Sequence, residues 1–118
     1  LGRKVVFTPH LGNFKRGILA TSVVTLKAGV TAEQVKAAFD SAYAGKPLVR
    51  LVSHSPNVAD VAGTPFCDIH WQQDAEQLVI VSAIDNLLKG AAAQALQAAN
   101  LKFGFAETAG LFAGVPNE

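Results

Sequence analysis

The sequence predicts an α+β fold: a mixed, mostly antiparallel sheet with one covering helix and a second, Ala-rich helix near the C-terminal end. Three observations lead to this prediction. Side chains alternate along a strand that starts at Ile18, a helix capping signal starts at Thr31, and two strand-like segments flank a short polar turn. With 118 residues, half of them hydrophobic, the chain can bury one core.

The first predicted strands lie near the N-terminus. Residues 5–8 read as a short strand that ends at Pro9, because proline cannot donate a ladder hydrogen bond. A loop over residues 10–17 follows, and then the alternating strand from Ile18 to about Leu26. Both faces of this strand are largely apolar, so we expect it to be covered on each side by a helix layer and by a second sheet or a partner subunit.

The first helix has clear ends in the sequence. Thr31 and Gln34 have the spacing of a capping box, and apolar residues then recur at helical intervals to about Ala44, after which Gly45 can adopt a positive φ. A further strand is predicted over residues 48–52 and a long loop over residues 53–64.

Two more strands are predicted at residues 66–72 and 77–84, joined by a tight turn at residues 73–76. The Ala-rich helix follows directly, since alanine has the highest intrinsic helix propensity. After residue 103 the Gly-, Pro- and Asn-containing end is predicted to be an irregular tail.

Composition excludes several classes of function. The formal net charge is +1 and the basic residues form no stripe, so nucleic-acid binding is not expected. The sequence has no apolar run that could cross a bilayer and no N-terminal signal, which predicts a soluble cytoplasmic protein. Cys67 is the only cysteine and cannot form an internal disulfide. Because the chain begins at Leu1 and contains no Met, we interpret it as a fragment of a longer protein.

The strand at residues 66–72 carries the residues with the most obvious chemistry. Cys67 shares a strand face with Ile69 and Trp71, which favours a packed thiol over a nucleophile. Asp68 and His70 share the opposite face and could form an acid–base pair, but a polar sheet face or a subunit contact is favoured. A metal site would need more ligands than this spacing supplies, so none is predicted.

Two other places could bind a ligand. The loop at residues 8–17 contains His10, Lys15 and Arg16, and the planar Arg16 guanidinium suits a carboxylate or a phosphate, although a solvated connection explains the loop equally well. Asp85 and Asn86 stand where a helix cap belongs. Their side chains could accept from free backbone amides, or Asn86 could present its carboxamide to a ligand.

Four segments carry a resemblance to a known family. FTPHL at residues 7–11, RGILAT at 16–21, GTPFCDI at 63–69 and DNLLKGAA at 85–92 are similar to the N-acetyl-γ-glutamyl-phosphate reductases of arginine biosynthesis. The resemblance spans nearly the whole chain but only about the C-terminal third of such an enzyme.

This resemblance implies the C-terminal domain of a glyceraldehyde-3-phosphate-dehydrogenase-like, homo-oligomeric oxidoreductase. Residues 1–84 would form its substrate-binding and oligomerisation domain, with the sheet buried between subunits, and residues 85–118 a helix and tail that return to a missing N-terminal Rossmann domain. In such enzymes a cysteine thiolate attacks N-acetylglutamyl phosphate, phosphate leaves, and NADPH reduces the thioester to N-acetylglutamate semialdehyde.

The same resemblance implies roles for particular residues. Asn86 would reach the nicotinamide end of NADPH, Lys89 and Gly90 would set the helix start, and His10 and Arg16 would lie near the substrate's carboxylate or phosphate. The Gly-Cys segment of the nucleophile, the segment of the catalytic histidine and a Gly-x-Gly-x-x-Gly motif do not occur in the sequence. We therefore expect no catalytic residue, no bound NADPH and no activity in this chain alone.

Two alternatives belong to other classes. The chain could be a stand-alone ferredoxin-like module that binds a small ligand or regulates a partner. It could also be a hydrolase that uses Cys67 and His70, but these residues point to opposite strand faces, which ranks this alternative last.

Overall fold

A computed structural model describes residues 4–112. Its secondary structure elements, in chain order, are β1 (Ile18–Thr25), α1 (Ala32–Tyr43), β2 (Val49–Leu51), α2 (Val58–Val61), β3 (Cys67–Asp74), β4 (Gln77–Ile84), a π-helical turn (Leu88–Ala92) and α3 (Ala93–Phe103). The sheet order is β1-β4-β3-β2; β4 pairs antiparallel with both neighbours, and β2 pairs parallel with β3. The predicted mixed, mostly antiparallel sheet is confirmed.

The register of the strands defines two faces of the sheet. Ile18, Ile84 and Cys67 are paired across β1, β4 and β3, so their side chains lie on the same face of the sheet. Because side chains alternate along a strand, every second residue from each of these three lies on that face too. We name it the α1 face, because Phe39 of α1 stacks on Trp71 there with ring centroids 5.8 Å apart. The opposite surface is the open face, which consists of residues 19, 21, 23 and 25 of β1, 77, 79, 81 and 83 of β4, and 68, 70, 72 and 74 of β3.

The local signals for α1 and the hairpin are confirmed. Thr31 Oγ1 accepts from the Gln34 amide and Gln34 Oε1 accepts from the Thr31 amide, which completes the capping box. Gly45 follows the helix with φ 68°. The turn between β3 and β4 is shorter than predicted, because the ladder continues to the pair Asp74–Gln77 and leaves two residues to turn the chain.

The prediction of a strand at residues 5–8 is wrong. Residues 5–8 pair with no strand in the described part of the chain, and Val6 and Phe7 are more than four-fifths exposed. A strand is stabilised by hydrogen bonds to a neighbouring strand, and none of the four strands in residues 4–112 pairs with this segment.

Of the two segments predicted to be irregular, one contains a short helix, and the other has no helix or strand over residues 104–112, as predicted. The loop at residues 53–64 holds α2, which starts where Asn57 Oδ1 accepts from the Ala59 amide. After α3, the Asn100 side chain donates to the carbonyls of Glu107 and Ala109, so the following segment folds back on the helix. The rest of the predicted tail, residues 113–118, lies outside the described residues. Asn and other polar residues are common both at helix starts and in loops, so the sequence pattern did not distinguish the short helix α2 from a loop.

The expected cover over β1 is not provided by residues 4–112 of this chain. All eight residues of β1 are exposed, including the apolar Leu19, Val23 and Val24. Among the described residues, α1 and α2 pack over other parts of the sheet. Within residues 4–112, no helix is long and apolar enough to cross a membrane.

Candidate functional site

An open cleft of about 380 Å³ lies where the loop before β1 meets the residues that follow β4. His10, Lys15 and Arg16 line it from the loop, and Asn86 lines it from the other side. The structure therefore brings together three of the five predicted site residues, His10, Arg16 and Asn86. Lys89 and Gly90 are not part of the cleft wall.

The buried side chain of Asp85 forms hydrogen bonds with several segments next to the cleft. The side chain is fully buried and accepts hydrogen bonds from the backbone amides of Leu87 and Leu88, both at 2.8 Å, and of Gly63 at 2.7 Å. The first two bonds make Asp85 the cap of the helical segment that follows, as one of the two sequence interpretations requires. The third bond ties that segment to the turn after α2.

Arg16 completes the coordination of this carboxylate. Its Nε lies 3.2 Å from Asp85 Oδ2, and its Nη2 donates to Asp85 Oδ1 at 3.3 Å. One edge of the guanidinium is therefore used by the carboxylate, while the side chain as a whole remains 41% exposed. The opposite edge, which carries Nη1, is the edge that can meet an anion in the cleft.

Asn86 is held in a defined orientation. Its Oδ1 accepts from the Gly17 amide at 2.8 Å, so its Nδ2 points away from that bond as a donor. Gly17 has φ 108°, and a Cβ at this position would lie 2.2 Å from Val58 Cγ1. The glycine thus permits a close approach that places its amide against Asn86.

The helix after Asn86 begins with wider turns than an α-helix. The Gly90 amide donates to the Asp85 carbonyl and the Ala92 amide to the Leu87 carbonyl, both five residues back. A Cβ on Gly90 would come within 3.3 Å of the Asp85 carbonyl oxygen. Gly90 therefore shapes the helix start, whereas Lys89 Nζ is directed along the helix to Gln97 Oε1 at 2.5 Å.

The environment of Asp85 favours its charged form. Burial opposes ionisation, but the amides of Gly63, Leu88 and Leu87 and the charge of Arg16 outweigh it and hold the pKa of this carboxyl below its ordinary value. The site thus contains a buried negative charge paired with Arg16, in a cleft that Lys15 also lines.

The other candidate residues do not assemble into a reactive site. Asp68 is buried and forms a two-point ion pair with Arg50, at 2.5 Å and 2.9 Å. His70 Nδ1 lies 3.0 Å from the Val52 carbonyl oxygen, and Cys67 lies on the opposite face of β3. These contacts favour the interpretation as structural polar contacts over an acid–base pair.

Cys67 is expected to react slowly with iodoacetamide at neutral pH. Burial raises the pKa of its thiol, the nearby Lys89 charge lowers it, and the Asp68 charge raises it, with burial dominant. Because only the thiolate attacks, we expect labelling at least about tenfold slower than for N-acetylcysteine, and acceleration in urea. Mass spectrometry follows the single thiol directly; a folded-state rate equal to that of N-acetylcysteine would contradict this prediction.

Among residues 4–112, no three or more His, Cys, Asp or Glu side chains are grouped as metal ligands would be. Sequence reasoning did not connect Asp85 with Arg16 or Gly63, which are 69 and 22 residues away. The only signal was an acidic residue directly before Asn86 at a helix start.

Comparison with known proteins places the chain in a class. Residues 2–86 match the family "Semialdehyde dehydrogenase, dimerisation domain", and the chain belongs to this family. It is similar to N-acetyl-γ-glutamyl-phosphate reductases, with 63% identity to the protein of Tolumonas auensis, 60% to that of Aeromonas salmonicida and 55% to that of Vibrio parahaemolyticus. Each comparison covers 94% of this chain, which spans about a third of the length of these relatives.

Proposed function

We propose that this chain is the substrate-binding and dimerisation part of an NADPH-dependent N-acetyl-γ-glutamyl-phosphate reductase, a cytoplasmic enzyme of arginine biosynthesis. The enzyme would convert N-acetylglutamyl 5-phosphate to N-acetylglutamate 5-semialdehyde and phosphate. The observation that carries the proposal is the cleft, in which Arg16, His10 and Asn86 meet within a chain 63% identical to such a reductase.

The cleft has the chemistry to hold an anionic substrate. The free edge of the Arg16 guanidinium can donate two parallel hydrogen bonds to a carboxylate or a phosphate. Lys15 and His10 also line the cleft and can donate hydrogen bonds to an anion there. These side chains would bind one of the two anionic ends of N-acetylglutamyl phosphate.

Asn86 fits a contact with the cofactor. With its Oδ1 engaged by the Gly17 amide, the carboxamide has only its Nδ2 donors to offer, and these match a carbonyl oxygen such as that of a nicotinamide carboxamide. NADPH supplies the hydride in the reaction we propose. This chain would contribute by orienting the nicotinamide end of NADPH. Gly90 shapes the helix start beside Asn86, which is the role that the family resemblance implies for Gly90 and Lys89.

The remaining chemistry would come from the N-terminal part of the enzyme. A Rossmann domain there would bind most of NADPH and carry the nucleophilic cysteine segment and the histidine that transfers protons. The separation of Cys67 and His70 on opposite faces of β3 supports this division of labour. We therefore propose that the chain alone binds no NADPH and catalyses no turnover.

The open face of the sheet is the surface we propose for dimerisation. Leu19 and Val23 of β1 are 48% and 65% exposed there, and Val79 and Val81 of β4 continue the apolar surface. A sheet face of this kind needs a cover, and the family to which the chain belongs is a dimerisation domain. A second copy of the chain is the occupant we propose.

A reconstitution experiment tests the proposed activity. The chain is assayed with NADPH and N-acetylglutamyl phosphate, alone and fused to the N-terminal two-thirds of the Tolumonas auensis relative. We expect turnover in the fusion protein and none in the chain alone. Turnover by the chain alone, or a folded fusion protein that binds NADPH but does not reduce the substrate, would show that the proposal is wrong.

A further inference from the structure

The described residues contain two buried aspartates, each paired with one edge of an arginine. Asp85 pairs with Arg16 and Asp68 with Arg50; the two carboxylate side chains are 0% and 6% exposed, and the arginine side chains 41% and 40%. The two pairs are therefore close to matched in burial, although the contacts of Arg50 with Asp68, at 2.5 and 2.9 Å, are shorter than those of Arg16 with Asp85, at 3.2 and 3.3 Å.

The two arginines differ in what their remaining atoms contact. Arg50 lies over the Phe66 ring at 4.5 Å, and its Nη2 also donates to the Asp60 carbonyl at 3.3 Å. Its guanidinium is thus used within the domain. Arg16 contacts only Asp85 among the described hydrogen bonds, and it lines the cleft.

A carboxylate behind an anion-binding arginine has two opposing effects. It reduces the net positive charge that attracts the anion, which weakens binding. It also fixes the plane of a long, flexible side chain before the anion arrives, which removes an entropic cost of binding. The second effect requires a carboxylate that is itself immobile, and the three backbone amides that donate to Asp85 provide this rigidity.

We propose that Asp85 is a positioning residue, which presents the free edge of Arg16 to the anionic group of the substrate and thereby sets the affinity of the cleft. This inference rests on the proposed function, since it assigns the partner of a cleft that binds the acyl phosphate. Asp85 also caps the segment that starts beside Asn86, so one carboxylate aligns both sides of the cleft.

The test uses the active fusion protein and measures KM and kcat separately. Asp85→Asn removes the charge with little change in size, and we expect it to raise KM for N-acetylglutamyl phosphate about tenfold. Asp68→Asn is the matched control, and it should leave KM unchanged while it lowers stability. A loss of folded protein reduces the active fraction and hence the measured kcat, so the comparison of KM values separates positioning from stability.

Arg16→Lys provides a second variant that leaves Asp85 intact. Lysine keeps the charge but cannot be held edge-on, so KM should also rise about tenfold, and adding Asp85→Asn to it should have less than about a twofold further effect. An unchanged or lowered KM in either single variant, or independent effects in the double variant, overturns the inference. An inactive parent fusion protein contradicts the proposed function instead.

Discussion

Replacing Asp85 by alanine is expected to lower the free energy of unfolding of this domain by about 3–5 kcal/mol. The substitution leaves the Arg16 charge without its partner and removes the acceptor for the part-buried amides of Gly63, Leu87 and Leu88. Each unsatisfied donor costs about 1–3 kcal/mol before the structure relaxes. Urea denaturation followed by circular dichroism measures the effect at a fixed protein concentration, because dimer stability depends on concentration.

Asp40→Ala is the control for this measurement. Asp40 also forms an ion pair, with Lys36 one turn earlier on α1, but both side chains are exposed. Such a pair contributes about 0.3–0.5 kcal/mol. If the two alanine variants lost similar amounts of stability, Asp85 would not hold the role that its buried contacts indicate.

The same carboxylate makes the stability of the domain depend on pH. Its pKa is lowered in the folded protein relative to the ordinary value of 3.8, so its contribution is complete above that value. The contribution disappears as the pH falls from about 4 through the folded-state pKa. We expect the wild-type free energy of unfolding to decline more steeply over this acid range than that of Asp85→Asn.

Val23→Lys is expected to convert a dimer of this chain into a monomer. Val23 lies on the open face and is 65% exposed in the single chain, so a second copy seated on that face would bury it. In a two-fold symmetric interface each substitution is present twice, and two unpaired lysines would have to lose their hydration. Analytical ultracentrifugation over a series of concentrations measures the change in mass.

Val24→Lys is the matched control for this experiment. It changes the same residue type on the same strand, but Val24 lies on the α1 face and is 43% exposed. We expect this variant to remain dimeric. A monomeric Val24→Lys variant together with a dimeric Val23→Lys variant would assign the interface to the opposite face.

The elements that the sequence predicted well are those with local signals. The capping box at Thr31 and Gln34 involves residues three positions apart, and the hairpin pairs strands that adjoin a two-residue turn. Residues 5–8 had the composition of a strand but no neighbour to pair with in the described part of the chain. The segment after α3 had the composition of a loop and is irregular as far as residue 112, but its attachment to α3 through the Asn100 side chain had no signal in the sequence.

In the candidate site, too, the sequence indicated which residues could bind a ligand but not the contacts that orient them. Residue type alone indicated that Arg16 could bind an anion and that Asn86 could face a ligand. It did not indicate that the oxygen of Asn86 would accept from the Gly17 amide, which decides that Nδ2 is the atom available to a ligand. Nor did it show that Lys89 would be directed to Gln97 and away from the cleft.

By itself, the sequence determined the α+β class, the position of α1 and the β3–β4 hairpin, and the resemblance to a reductase family that the comparisons confirm. Only the tertiary structure decided that Asp85 joins Arg16 and Gly63, and that β1 has no cover from the described residues of its own chain. The physical reason is distance along the chain. Caps and tight turns depend on neighbouring residues, whereas a buried carboxylate is satisfied by whichever groups the fold brings to it.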